Sequence, residues 1–264
     1  MLPYILRLTV ISCAIGFALP QGLASAAVPP APRPTIVLVH GAFAESASWN
    51  GVVDELAEEG YAVIAAANPL RGVASDAAAV AALLKTIKGP VVLVGHSYGG
   101  AVISAAATAA DNVRALVFVA AFAPDAGESC LALTARFPGS TLPPALAAPV
   151  PLADGGEDLY IQPDKFPQQF AADVPAAQGQ AMAATQRPIK ASALAEIAGP
   201  PAWKTIPSWA IYGTADLNIP PAAMDFMAQR ANAKRTVVID GASHVVMVSH
   251  PHEVAALIRD AAKR

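Results

Sequence analysis

A serine set between glycines where an apolar run meets an alanine-rich one, Val91-Val92-Leu93-Val94-Gly95-His96-Ser97-Tyr98-Gly99-Gly100-Ala101, constrains this chain more than any other feature. Residues 91–94 have the β-branched and leucine content of a strand buried on both faces, and residues 101–110 favour helix. Joining the two in so few residues demands a sharp bend, for which Gly95 and Gly99 leave room. The hydroxyl of Ser97 then stands above the end of the strand, where a nucleophile would stand.

A serine hydroxyl is a weak nucleophile at neutral pH and needs an imidazole base held by a carboxylate. The chain has five histidines. His96 adjoins the nucleophile, and its ring should leave the turn on another side. His40 ends a strand and suits support of the loop that follows. His250 and His252 flank Pro251, whose fixed φ suits a helix start, so a solvated first turn accounts for both. His244 remains, in the flexible loop Gly241-Ala242-Ser243-His244 just after the β-like run 235–240, and is the expected base. For the acid, Ser208-Trp209-Ala210-Ile211-Tyr212 reads as a strand with Gly213-Thr214-Ala215-Asp216 at its carboxyl end. Asp216 is preferred; Asp125, after the strand 115–121, is the alternative, whereas Asp240 would have to fold back on its own strand.

With His40-Gly41-Ala42-Phe43, these motifs make the chain resemble the α/β-hydrolase superfamily from residue 35 almost to the end, in that family's order of Ser, Asp, His. Its compact size and His-Gly-Ala-Phe loop look like the small-ester branch that includes plant methylesterases and hydroxynitrile lyases. The resemblance implies an oxyanion hole of two backbone N–H groups, which map to Tyr98 and Ala42, with Phe43 as the alternative second donor. It also implies a serine esterase that cleaves small to medium carboxylic esters through an acyl-enzyme. Two alternatives stay open. One is a cofactor-free lyase or perhydrolase on the same triad, which as a hydroxynitrile lyase would want Lys165, Lys190 or Lys204 over the pocket. The other is a non-catalytic ligand-binding member of the fold.

Strand and helix alternate along the rest of the chain. Strands are expected at 35–40, 61–67, 91–94, 115–121, 208–212 and 235–240, and helices at 48–59, 75–87 (capped by Ser75 or Asp76), 101–110, 221–231 and 251–262. This predicts an α/β fold of about six parallel core strands with helices on both faces. The proline-rich stretch Val28-Pro29-Pro30-Ala31-Pro32-Arg33-Pro34 leaves no length for a preceding hairpin. Between about residues 123 and 206 the alternation lapses, which reads as an inserted, partly helical cap: irregular at first, then helical at 164–173, 175–185 and 191–197. Phe43, Phe122, Tyr160 and Phe166 are candidate substrate-binding residues, and Phe137, Leu142 and Phe170 could also shape an apolar pocket. Trp49 and Trp203 read as core.

With 264 residues, 55% of them hydrophobic and 14% charged, the chain can bury one large core, here assigned to residues 28–264. A formal charge of -3 and scattered basic residues argue against a nucleic-acid partner. The expected partner is a small-molecule ester, with no metal ligand spacing and no cofactor motif; oligomeric state leaves no signature. Residues 1–27 read as an export signal, with Arg7, the short apolar run 8–19 and the small residues Ala24-Ser25-Ala26, and predict a periplasmic or secreted protein without stable membrane insertion. Its removal would leave Cys130 alone and preclude an internal disulfide.

Overall fold

The computed structural model describes residues 33–263, together with the isolated positions Tyr4 and Thr9; the expected export signal lies outside the described residues. In chain order the strands are β1 (Thr35–Val39), β2 (Val63–Ala66), β3 (Val91–His96), β4 (Val113–Val119), β5 (Val150–Pro151), β6 (Glu157–Leu159), β7 (Ile189–Lys190), β8 (Ser208–Gly213) and β9 (Thr236–Ile239). Six of them form one wholly parallel sheet in the order β2-β1-β3-β4-β8-β9. Every residue of β3 is buried, as a central strand covered on both sides requires.

The helices are α1 (Asn50–Glu58), α2 (Val73–Thr86), α3 (Tyr98–Ala106), α4 (Cys130–Arg136), α5 (Leu142–Ala145), α6 (Phe166–Phe170), α7 (Ala176–Thr185), α8 (Ala191–Ala195), α9 (Pro221–Arg230), α10 (Val246–Ser249) and α11 (Pro251–Ala262). Two pairs, α1 on α11 and α2 on α3, pack closely, and α3 and α11 also lie against central strands. None of the described helices is long and apolar enough to cross a membrane.

Parallel pairing sets the carboxyl ends of the strands along one edge. Val39 lies opposite Gly95, His96 opposite Val119, and Gly213 opposite Ile239. The loops after β1, β3, β8 and β9 therefore open on the same side, where a sheet of this kind binds ligands.

Several boundaries differ from expectation for local reasons. Helix α2 starts at Val73 with Gly72 as its N-cap and no side-chain cap, so neither Ser75 nor Asp76 caps it. Asp76, one turn in, instead accepts the N–H groups of Arg71 and Gly72 and the Tyr98 hydroxyl. Helix α3 begins three residues before the expected alanine run, because the bend at Ser97 already delivers helical geometry, and it tightens to a 3₁₀ turn at Ala107–Ala109. The cap segment is more ordered at its start than expected, with α4, α5 and a small antiparallel sheet of β5, β6 and β7. Strands of two or three residues are too short to show a period, which is why the sequence hides them. The helices expected at 164–173 and 191–197 shrink to α6 and α8.

Candidate active site

Ser97 is the hinge between β3 and α3, and its φ of 55° and ψ of -125° lie where a non-glycine residue is strained. Its N–H donates to the Val119 carbonyl at 3.2 Å, and its own carbonyl accepts from Gly100 at 2.9 Å and Phe122 at 3.1 Å. The strain is thus held from both sides. Neighbouring main chain passes so near that side chains are excluded: a Cβ on Gly41 would sit 2.6 Å from Ser97 Cβ, and one on Gly99 would sit 2.6 Å from the Val39 carbonyl. The loop after β1 therefore touches the serine directly.

That loop carries one of the two expected N–H donors. The N–H of Phe43 is taken by the Arg187 carbonyl at 2.9 Å, so the alternative donor is occupied. The N–H groups of Ala42 and Tyr98 meet no hydrogen-bond acceptor among the described residues, and both residues border the cavity onto which Ser97 opens. Tyr98 is the first residue of α3, so its N–H is free by the geometry of a helix start and carries the positive end of the helix dipole. His40 holds the loop from behind. Its Nδ1–H donates to the Gly41 carbonyl at 2.9 Å while Nε2 accepts the Asn68 N–H at 3.0 Å, and burial pushes its pKa down to about 4, so the ring is neutral. Asn68 closes the arrangement by donating to the His40 carbonyl. No motif marked Asn68 in the sequence.

His244 Nδ1 lies 2.6 Å from Asp216 Oδ2, with both side chains almost wholly buried. The other carboxylate oxygen accepts the N–H groups of Asn218 and Ile219 at 2.8 and 3.0 Å, which fixes the carboxylate before it meets the ring. The two rival acids are engaged elsewhere: Asp125 pairs with Lys204 at 2.6 Å, and Asp240 accepts the Thr214 hydroxyl. His96 is also placed by the structure. Its Nε2–H donates to the main-chain carbonyl of His244 at 3.1 Å, and the two rings stand 4.8 Å apart. Burial holds the His96 pKa well below that of a free imidazole, so the ring beside His244 is neutral. His252 meets Glu55 at the start of α11, in keeping with a helix-start role.

Ser97 and His244 face one cavity of about 320 Å³, walled by Phe43, Phe122, Leu142, Leu146, Phe170 and Ile219 among others; among the described residues no Asp, Glu, Lys or Arg side chain borders it. No hydrogen bond joins Ser97 Oγ to the His244 ring among the described residues; catalytic contacts of this kind often tighten only with substrate in place. Of the four aromatic residues expected to bind substrate, Phe43 and Phe122 border the cavity. Tyr160 and Phe166 do not: Phe166 is wholly buried beneath Phe170, with ring centres 4.9 Å apart, and Tyr160 lies off the cavity. Phe137 packs on Phe226. Trp49 and Trp203 are buried, as read. The three lysines considered for a lyase lie elsewhere, with Lys165 on the Pro144 carbonyl, Lys190 on Asp154 and Lys204 on Asp125. Cys130 also borders the cavity, where burial raises its thiol to about 12 and keeps it protonated.

Comparison with known proteins shows the family and the fold. A model described as an alpha/beta hydrolase family matches residues 36–257. A carbendazim hydrolyzing esterase of Nocardioides sp. (strain SG-4G) is 46% identical over 59 residues, a match that spans 22% of this chain and only 23% of that protein. Among solved structures, polyneuridine aldehyde esterase superposes with a TM-score of 0.74 at 19% identity, over 87% of this chain and 99% of the other. A pyrethroid hydrolase from Sphingobium faniae JZ-2 gives 0.67 at 24% identity, over 87% and 97%. At these identities the two structures show a shared fold.

Proposed function

The chain belongs to the alpha/beta hydrolase family, and from that premise we propose that it is a serine esterase acting on small to medium, uncharged carboxylic esters. The observation that carries this reading is His244, paired with the buried Asp216, bordering one apolar cavity together with Ser97. In the proposed reaction Ser97 Oγ attacks the ester carbonyl while His244 Nε2 takes its proton. Asp216 stabilises the imidazolium that forms. The N–H groups of Tyr98 and Ala42 donate to the oxyanion, already oriented when charge develops there. His244 then returns the proton to the departing alcohol, and water, deprotonated by the same ring, attacks the acyl-serine and releases the acid.

The cavity supports the substrate class. Its volume is at the small end for a ligand site, and an apolar wall without a charged partner would penalise an ionised substrate. The local likeness to an esterase and the placement of the three lysines favour hydrolysis over hydroxynitrile lysis. The test is turnover of short aryl esters by wild type and Ser97→Ala, with labelling by a fluorophosphonate probe located by peptide mass spectrometry. Activity and labelling at Ser97, both lost in the variant, are expected; turnover retained by a folded Ser97→Ala protein would reject the assignment.

A further inference from the structure

One short stretch of the cap bonds to both loops that carry the acid and the base. Gln169, in α6 and 7% exposed, donates through Nε2 to the Leu217 carbonyl at 2.8 Å and to Asn218 Oδ1 at 3.2 Å, and its own carbonyl accepts Asn218 Nδ2 at 3.1 Å. Its side-chain oxygen is held by the Thr141 hydroxyl at 2.9 Å, and Thr141 N–H also reaches the Leu217 carbonyl. Asn218 is the residue whose N–H fixes Asp216. Four residues after Gln169, Asp173 Oδ1 accepts the hydroxyl of Ser243, the neighbour of His244, and that hydroxyl also lies 3.4 Å from the Phe170 carbonyl. Between them the Phe170 ring rests 5.0 Å from the His244 ring. These contacts join cap to core across 49 and 70 residues of sequence.

From below, the acid and base loops meet through the main chain and through the Thr214 hydroxyl, which donates to Asp240 Oδ1 and accepts the Gly241 N–H. Ala215 N–H donates to the Ala242 carbonyl at 3.1 Å, and Gly213 passes so close to Ala242 that a Cβ would sit 2.0 Å from its oxygen. The base loop leaves β9 through Gly241, whose φ of +74° makes it a natural pivot. Beyond that pivot the core holds the loop at His244, whose main-chain carbonyl accepts His96 Nε2–H. The cap grips the same loop one residue earlier, at the Ser243 hydroxyl, so the orientation of the imidazole depends on the core and the cap together.

We propose that Gln169 and Asp173 are positioning residues, forming a clamp that sets the acid loop and the base loop in register and so fixes the Asp216–His244 geometry. This rests on the reading of Ser97, Asp216 and His244 as the reacting groups. Neither clamp residue touches the reacting atoms; each acts through Asn218 or Ser243. The clamp also ties catalysis to the cap, since a shift of α6 would move both loops together.

The test uses the full chain and the downfield proton resonance of His244 Nδ1–H, assigned by its loss in His244→Gln. Gln169→Ala and Asp173→Ala should shift or broaden that resonance, and kcat should fall about 100-fold, the scale of a misplacement near 1 Å, with KM changed far less. Asp173→Asn keeps an oxygen for Ser243 and should restore both. If Asp173→Ala does not fold, Ser243→Ala removes the same contact from the other side and should move the same resonance. Folded variants that keep the wild-type resonance, or an Asn substitution that restores neither readout, would overturn the clamp. The resonance needs no turnover. If wild type cleaves no ester, the esterase reading fails while the spectrum still decides this one.

Discussion

His244 Nδ1 meets Asp216 Oδ2 at 2.6 Å inside a shell that leaves 1% of one side chain and none of the other exposed. A carboxylate so placed accepts from the ring, and its other oxygen is already bound by two N–H groups, so it cannot easily turn away. The ring is thereby committed to presenting Nε2 outward.

Asp216→Asn keeps the shape and can offer an N–H where the ring needs an acceptor, which favours the wrong tautomer. We expect kcat to fall about 10⁴-fold with little change in KM. Steady-state kinetics on an aryl ester measures both, and a loss under tenfold would show that another group orients His244.

Gly41→Ala places a Cβ 2.6 Å from Ser97 Cβ and 2.7 Å from the His96 main-chain carbonyl. Overpacking there should cost about 1–3 kcal/mol of stability. Displacement of the adjoining Ala42 N–H should also cost about 100-fold or more in kcat. Urea unfolding and kinetics of the purified variant read the two separately. Full activity in Gly41→Ala would mean that the loop carries no catalytic donor.

Phe43 borders the catalytic cavity and also a second groove of about 230 Å³ edged by Glu45, Ser48, Gln178 and Met182. Its ring meets Phe170 edge-on at 6.2 Å, and its φ of 60° is pinned by the Arg187 contact. Phe43→Ala should open one space into the other. Longer acyl chains then gain, by about fourfold in relative kcat/KM for each newly buried methylene at ~0.8 kcal/mol. A series of 4-nitrophenyl alkanoates tests this; an unchanged chain-length ranking would show that another wall divides the two spaces.

His40 is a neutral, buried ring whose pKa falls from 6.5 to about 4 on folding, chiefly through burial. The unfolded chain takes up this proton first as pH drops. This residue's contribution to stability is therefore level above pH 7 and is lost between 6.5 and about 4, by about 3 kcal/mol. His96, also depressed by burial, adds to the same slope. Urea midpoints from pH 8 to pH 4 should show it, and His40→Gln, with an amide that both donates and accepts, should make it shallower. A slope identical in the variant would place the proton uptake elsewhere.

The parallel sheet, the bend at Ser97, and Asp216 and His244 as the pair to meet there were legible in the chain by itself. Each rests on a short-range pattern: runs of Val, Leu and Ile for buried strands, Gly95 and Gly99 for a close turn, and loops at strand ends that parallel pairing must bring to one edge. The closing helix Pro251–Ala262 was legible to the residue, since Pro251 marks its start. Tertiary structure alone decided the cap and the walls of the cavity. Phe166 and Phe170 lie one turn apart in α6 and look alike in sequence, yet one is buried beneath and the other faces His244. Gln169 and Asp173 carry no motif, because their partners at 218 and 243 are distant in sequence and become neighbours only in the folded chain. Local periodicity reflects what each segment buries, whereas contacts between segments far apart depend on packing that no single segment encodes.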